Sequence, residues 1–236
     1  MICQPFRCIF VHIPKTAGRS VEMFFINELA LDRQDDSHRQ QLLITDNDDP
    51  AKGTEKLSHL SASEYVQCGH ISQQNFSDYY KFSFVRNPWA RLVSEYRYRN
   101  YLSHRCFKDF VLNKLPKPGR DDKYRHIMPQ TEMLYDSNGV LLVDFIGKFE
   151  HLQRDFDQVC SRLGLDQTSL PHINSSDKKS RELRRKIRNF IYRNGENNLR
   201  SYVDFYDNET RDAVADLYRA DIKNFNYSFE DALKCR

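Results

Sequence analysis

The stretch Ile9-Phe10-Val11-His12-Ile13-Pro14-Lys15-Thr16-Ala17-Gly18-Arg19-Ser20-Val21 places the tightest constraint on what this chain can fold into. Its apolar start reads as a buried strand. Pro14 to Gly18 reads as a tight turn carrying Lys and Thr. Apolar residues then recur at Val21, Phe24, Phe25 and Leu29, the spacing of a helix. The first N–H groups of a helix have no internal partner, and the helix dipole adds partial positive charge there. Lys15 adds a full charge, and Thr16 and Ser20 add hydroxyl donors. This is chemistry suited to a phosphate or a sulfate. The same residues also fit an ordinary strand-to-helix connection with a solvated lysine, and the stretch alone does not choose between the two.

A second unit of the same kind follows at Lys81-Phe82-Ser83-Phe84-Val85-Arg86-Asn87-Pro88-Trp89. Phe82, Phe84 and Val85 suggest a buried strand. Asn87 is a good N-cap, and Pro88 suits the first helical position. The helix is expected to run from Trp89 to Tyr98, with Arg86 at the carboxyl end of the strand and Ser94 about two turns in. Open α/β sheets bind ligands beyond the carboxyl ends of their strands, so both units bring basic groups to one edge. A third strand is expected over Val143–Phe149, then a helix from about Leu152 to Leu163 that Gly164 stops.

The 236 residues suffice for one sizeable α/β domain, residues 1–236, with no internal repeat or low-complexity linker. Asp32 to Lys56 is polar and acidic and is expected to be a long, mobile surface loop. It lacks the Gly and terminal Glu of a calcium loop. Ser61 and Glu64 have capping-box spacing before a short helix. Phe107–Leu115 and Asn208–Lys223 are expected as helices, and residues 119–128 as a basic loop. A net charge of +3 is too mild to imply nucleic acid and is compatible with anionic ligands. The basic run Lys178, Lys179, Arg181 and Arg184–Lys186 reads as a solvated helix face. Six cysteines are scattered without a C-x-x-C pair, and no H-E-x-x-H spacing appears, so a reducing compartment and no metal are expected. No apolar run is long enough to span a membrane. Read as a complete chain, the protein is expected in the cytoplasm.

Taken together, the two motifs resemble those of sulfotransferases that act on carbohydrates. Ile13-Pro14-Lys15-Thr16-Ala17-Gly18 is similar to their 5′-phosphosulfate loop. Phe84-Val85-Arg86-Asn87-Pro88-Trp89, continued by Arg91-Leu92-Val93-Ser94 and Tyr96, is similar to their 3′-phosphate-binding strand and helix. Weaker likeness runs through Asp144–Glu150, Leu170–Asn174 and the Tyr218 to Tyr227 tail. The resemblance implies a single α/β domain with a P-loop-like central parallel sheet flanked by helices. It also implies 3′-phosphoadenosine 5′-phosphosulfate (PAPS) as sulfuryl donor, with the desulfated nucleotide PAP as product. By the same analogy Lys15 contacts the oxygen bridging sulfate and phosphate, while Thr16, Ala17, Gly18, Arg19 and Ser20 line the 5′-phosphate. Arg86 and Ser94 hold the 3′-phosphate, and Ser175, Ser176 and Lys178 follow a late loop on that side. Arg19 departs from the smaller residue usual at its position.

Sulfuryl transfer needs in-line geometry and stabilised charge on the departing phosphate, and a lysine supplies the latter without a metal. An arginine fork suits the 3′-phosphate. The acceptor hydroxyl must lose a proton, and relatives use a His, or sometimes a Glu, as general base. His59, in Ser58-His59-Leu60-Ser61-Ala62, is preferred here. His70, in Gly69-His70-Ile71, is the rival and resembles the Gly-His pairing of uronyl 2-O-sulfotransferases. His12 is read as structural, and Glu150 as a positioning or ion-pairing residue. The acceptor is expected to be a carbohydrate or another hydroxyl compound. Arg120, Lys123 and Arg125, with Tyr124, hint at an anionic saccharide, and Tyr96, Tyr98 and Tyr101 fit either sugar stacking or core packing. Two other readings stand beside this one. A nucleotide-dependent kinase or NTPase fits the strand–loop–helix but lacks G-x-x-x-x-G-K-[ST]. A non-catalytic sugar-binding module would have kept the fold alone.

Overall fold

The computed structural model describes residues 1–101, 106–171 and 201–231. The chain opens with β1 (Ile2–Cys3) and β2 (Cys8–Val11), turns at the Lys15 loop and enters α1 (Gly18–Glu28). Next come α2 (Asp36–Gln41), α3 (Glu64–Gln67), α4 (Gln73–Asp78), β3 (Tyr80–Val85) and α5 (Pro88–Tyr98). Helices α6 (Phe107–Asn113), α7 (Asp122–Ile127) and α8 (Gln130–Leu134) precede β4 (Phe145–Lys148) and α9 (Leu152–Leu163). Helices α10 (Asn208–Leu217) and α11 (Arg219–Phe225) follow.

The sheet order is β1-β2-β3-β4, with β2, β3 and β4 parallel and β1 antiparallel to β2. This is the expected parallel sheet with one antiparallel edge added, a strand too short to show periodicity. Every residue of β2 is buried because both faces of the sheet are covered. Alternation sorts its side chains. Phe10 faces one side with Phe82 and Phe84 and meets α1 and α9 through Phe24, Phe25 and Phe156. Ile9 and Val11 face the other side with Val85, Tyr65, Met133 and Phe225. A third cluster joins α5 to α6 and α10 through Trp89, Leu92, Tyr96, Phe110 and Val214.

Several local expectations change. The 32–56 segment is not simply a surface loop: it carries α2, a one-turn 3-10 helix at Pro50–Lys52 and a bridge between Asp46 and Lys56. Leu42 anchors it, buried in the α1-side core, with its carbonyl accepting from Ile2 N–H at 3.2 Å. Residues 119–128 contain α7, which Asp121 caps by accepting from Lys123 N–H at 2.7 Å. Only half of the capping box at Ser61 forms: Glu64 accepts from Ser61 N–H at 2.8 Å, but α3 has no side-chain cap. The expected helix over 208–223 breaks at Tyr218 into α10 and α11. Asn87 caps α5 as its position implies, accepting from Trp89 and Ala90 N–H groups at 3.2 and 3.3 Å.

A buried relay fixes the end of β3. Asp221 on α11 is fully buried and caps α8, accepting from Gln130 N–H at 2.8 Å and Thr131 N–H at 2.7 Å. Gln130 then clamps Arg86 through the backbone: its Oε1 accepts from Arg86 N–H and its Nε2 donates to Arg86 C=O, both at 2.8 Å. Removing the Asp221 carboxylate strands buried donors on two consecutive residues. Asp221→Ala is therefore expected to lower stability by about 3 kcal/mol, read as a shift of the urea midpoint at unchanged slope.

Candidate active site

The Lys15 loop is built by conformation as much as by composition. Lys15 and Ala17 both take left-handed backbone angles, φ 73° and 67°, and α1 starts at Gly18 with no side-chain cap. The first turn of α1 therefore keeps N–H groups available for an anion. Gly18 is required by packing, because a Cβ there would lie 2.0 Å from the His12 ring. The second motif grips this turn. Arg91, fully buried, donates through Nε to Pro14 C=O at 3.0 Å, and Arg86 Nη1 donates to Lys15 C=O at 3.2 Å.

Beyond the carboxyl end of β2 lies a cavity of about 690 Å³. Lys15, Ala17, Gly18, Arg19 and Ser20 line one side of it, and His59 with Ser58 lines another. Thr16 does not face the cavity: it is buried, and its hydroxyl donates to Ile13 C=O at 2.8 Å. Arg86 and Ser94 also lie outside the lining. Arg86 packs over the Phe149 ring, 4.1 Å from its centroid, with Nε buried and unpartnered. Burial pushes its guanidinium down to about 10. Ser94 is half-buried on α5. Ser175, Ser176 and Lys178, and the basic run Lys178 to Lys186, fall outside the described residues.

His59 is buried at the cavity wall, and its Nδ1 shares a 2.6 Å hydrogen bond with Asp122 Oδ1. That leaves Nε2 as the free ring nitrogen. Burial lowers the His59 pKa to about 4 against the opposing pull of Asp122. Burial alone would raise the Asp122 carboxyl, but His59, His126 and Lys56 outweigh it and hold it below the usual carboxylate range. Behind Asp122 the network continues. His126 Nε2 lies 3.5 Å from Asp122 Oδ2, its Nδ1 bonds Glu95 Oε2 at 2.6 Å, and Arg99 Nε donates to Glu95 Oε1 at 2.7 Å.

The network also reaches the lysine. Tyr98 stacks on His126 at 5.6 Å and holds Lys15 Nζ 3.8 Å from its own ring centroid. Burial lowers Lys15 to about 8, and Arg86, Arg99 and Arg91 push the same way against Glu95. The one cavity is thus lined by a charged lysine and a neutral imidazole at neutral pH.

His70 stands apart from this cavity, with Nε2 2.9 Å from Lys52 C=O. His12, read from sequence as structural, lines the cavity with Nδ1 2.7 Å from Glu22. Glu150 accepts from Asn87 N–H at 2.8 Å and Tyr227 O–H at 2.9 Å, so it positions the second motif and not a histidine. Of the basic residues near 120, Arg120 and Arg125 serve the fold, and Lys123 is exposed. Arg120 donates to Gly53 and Asn47 carbonyls, and Arg125 pairs with Glu64 at 2.6 Å. Tyr96 packs against Phe107 and Phe110, so of the three tyrosines only Tyr98 faces the site. Asp122, His126 and Glu95 were missed by sequence reasoning. Their available signal was the i, i+4 spacing of Asp122 and His126, and the continuation of α5 past Ser94.

Fold and cavity together define an α/β protein in which the Lys15 turn and a histidine–carboxylate pair border one cavity. The sulfotransferase family model matches residues 1–228, and the chain belongs to that family, whose chemistry is sulfuryl transfer to a hydroxyl-bearing acceptor. A protein of Archaeoglobus fulgidus, described only as uncharacterized, is 32% identical over 114 residues, covering 45% of this chain and 85% of the relative. No solved structure matches. Among the described residues no helix is long and apolar enough to cross a membrane.

The two shifted groups predict a pH dependence. A base is active when deprotonated, so with His59 in the role of base, the assignment proposed below, activity should fall as pH drops through about 4, where His59 gains its proton. With Lys15 in the charge-stabilising role proposed below, activity should also fall as pH rises through about 8, where the lysine loses its charge. A bell-shaped kcat/KM profile with limbs near those values is expected for any accepted hydroxyl substrate, and Lys15→Arg should move only the alkaline limb upward.

Proposed function

We propose that this protein transfers the sulfuryl group of PAPS to a hydroxyl, most simply of a carbohydrate, with His59 as general base. The observation that carries this reading is the placement of Lys15 and the Asp122-held His59 on one cavity beyond the first motif strand. The residues fit the donor. The turn offers N–H groups and Lys15, and the unpartnered buried Nε of Arg86 beside the same turn suits a second phosphate. The donor supplies an activated sulfuryl group. Gly18, Arg19 and Ser20 hold its 5′-phosphate end, while Arg86 and Ser94 take the 3′-phosphate. Thr16 contributes by fixing the turn from within and not by presenting its hydroxyl.

Transfer then needs two things of the chain. His59 Nε2 takes the proton of the acceptor hydroxyl as its oxygen bonds to sulfur. Lys15 stabilises the negative charge left on the phosphate oxygen as the bond between that oxygen and sulfur breaks, releasing PAP. Asp122 holds His59 in the tautomer with Nδ1 protonated and stabilises the imidazolium that forms. No step calls on a metal.

Lys15→Ala is expected to abolish transfer, and Arg86→Ala to weaken PAP binding at least tenfold by calorimetry. Wild-type PAP affinity in Arg86→Ala would remove the assignment of the 3′-phosphate. His59→Ala should lose transfer and keep PAP binding, whereas the same phenotype in His70→Ala would move the base there. Transfer should persist in chelator. A requirement for Mg²⁺ and ATP would favour the kinase reading, and PAP binding without turnover on any hydroxyl would favour a binding module.

A further inference from the structure

The cavity is bordered by two histidine–carboxylate pairs, and the chemistry above uses only one of them. His12, just past β2, forms the other with Glu22 on α1. Both side chains are buried, and His12 Nδ1 lies 2.7 Å from Glu22 Oε1. Burial alone would raise the Glu22 carboxyl, but His12 outweighs it and holds the group below the usual carboxylate range. Glu22 is therefore a carboxylate that accepts from Nδ1–H, which leaves Nε2 as the working nitrogen of His12. Three neighbours fix the ring. It stacks on Phe10 at 5.5 Å with 14° between the planes, meets the His59 ring edge to face at 4.9 Å, and lies so close to Gly18 that a Cβ there would collide with Nε2.

The two pairs differ in what else meets the carboxylate. Asp122 has His126 at 3.5 Å, Arg99 at 3.6 Å and Lys56 at 3.9 Å beside it as well as His59. Among the described residues Glu22 pairs with His12 only. Two imidazoles in contact disfavour a second positive charge, so environments this different sort one ring as acid and the other as base. Burial and then His12 press His59 toward the neutral form that a base requires, against Asp122. Lys15 and Arg19 on the same lining oppose a charge on His12 while the cavity is empty, and the anionic donor offsets them. On the reading above, the in-line path runs from a hydroxyl at His59 to the phosphate at the first turn of α1. His12 packs against a residue at each end of that path, His59 and Gly18. We propose that His12, doubly protonated against Glu22 when the donor is bound, is a further catalytic residue that donates from Nε2 to a sulfuryl oxygen and holds the group in line. His12 keeps its protons throughout: the acceptor oxygen bonds to sulfur, its proton goes to His59, and the sulfur–phosphate oxygen bond breaks. This inference rests on the donor assignment.

Two isosteric variants separate a catalytic His12 from a structural one. In His12→Asn the amide nitrogen replaces Nδ1 and keeps the Glu22 bond, whereas in His12→Gln it replaces Nε2 and gives that bond up. Turnover of PAPS is read as PAP release, with water or any accepted hydroxyl as acceptor, beside PAP binding by calorimetry. His12→Asn should lower kcat/KM at least tenfold with PAP affinity within twofold of the native protein, and His12→Gln should recover part of the loss. The reverse order, Asn near native and Gln low, would make the pair structural and overturn the inference. A fall in PAP affinity as large as the fall in kcat/KM would place His12 on the phosphate and overturn it too. A native protein that neither binds PAP nor consumes PAPS would bring down the donor reading and this inference together. Native turnover that His12→Asn leaves unchanged would overturn the inference alone. Glu22→Gln, which keeps an acceptor at Nδ1 but removes the charge, should also lower kcat/KM, and native activity there would contradict a charged His12. Nitrogen-15 NMR of the PAP complex decides the ring states without turnover or variants at risk of misfolding. Both ring nitrogens of His12 should carry protons, and His59 only Nδ1, while an unprotonated His12 Nε2 would refute the donor role.

Discussion

Two guanidinium groups hold the active-site turn in shape. Lys15 and Ala17 sit in left-handed backbone conformations that side chains disfavour, each at a cost of order 1–3 kcal/mol. The turn persists because Arg91 and Arg86 donate to the carbonyls of Pro14 and Lys15. Both arginines belong to the second strand–turn–helix unit, so the Lys15 turn depends on that unit for its shape. Arg86 is itself set by Gln130, and Gln130 by Asp221, so the grip reaches the last helix of the described chain. Parallel pairing of β2 with β3 brings the two units side by side, with Val11 opposite Ser83.

Helix α5 works at both ends. Its N-terminus carries the Arg86–Asn87–Pro88 corner, and its C-terminal turns supply Glu95, Tyr98 and Arg99 behind the histidines. One helix therefore ties the lysine, through Tyr98, to the carboxylate network that orients His59. Burial is what makes the pair useful. It keeps the imidazole neutral and makes the lysine's charge sensitive to its surroundings. An exposed histidine such as one at a loop tip would lack both the fixed tautomer and the fixed direction.

Much of this was legible in the sequence, for identifiable reasons. β2 is a continuous apolar run, β3 and β4 carry the apolar residues Phe82, Phe84, Val85, Phe145 and Ile146, and Asn87-Pro88 marks a helix start by its chemistry. Lys15 and His59 stand in recognisable local patterns, and both line the same cavity. Contacts made through tertiary packing were not legible. Asp122 and His126 sit on a six-residue helix whose cap is one aspartate, within a stretch that reads as a basic loop. His12 follows a strand and looks like packing until Gly18, with no side chain, lets its ring reach the cavity wall. Arg120 and Arg125 read as ligand-seeking cations, but their partners, backbone carbonyls and Glu64, lie far away in sequence. The cavity wall built by 33–46 was hidden because its polarity is that of a loop, while what ties it down, buried Leu42, the packing of Leu43 and Ile44 and the Asp46–Lys56 bridge, is tertiary.

The central claim is that the two motifs and His59 form one site, and a crystal structure with PAP bound tests it most directly. The 5′-phosphate is expected against the first turn of α1, the 3′-phosphate against Arg86 and Ser94, and His59 Nε2 facing the open side of the 5′-phosphate across from Lys15. PAP bound away from the Lys15 turn, or His70 in the place assigned to His59, would contradict it.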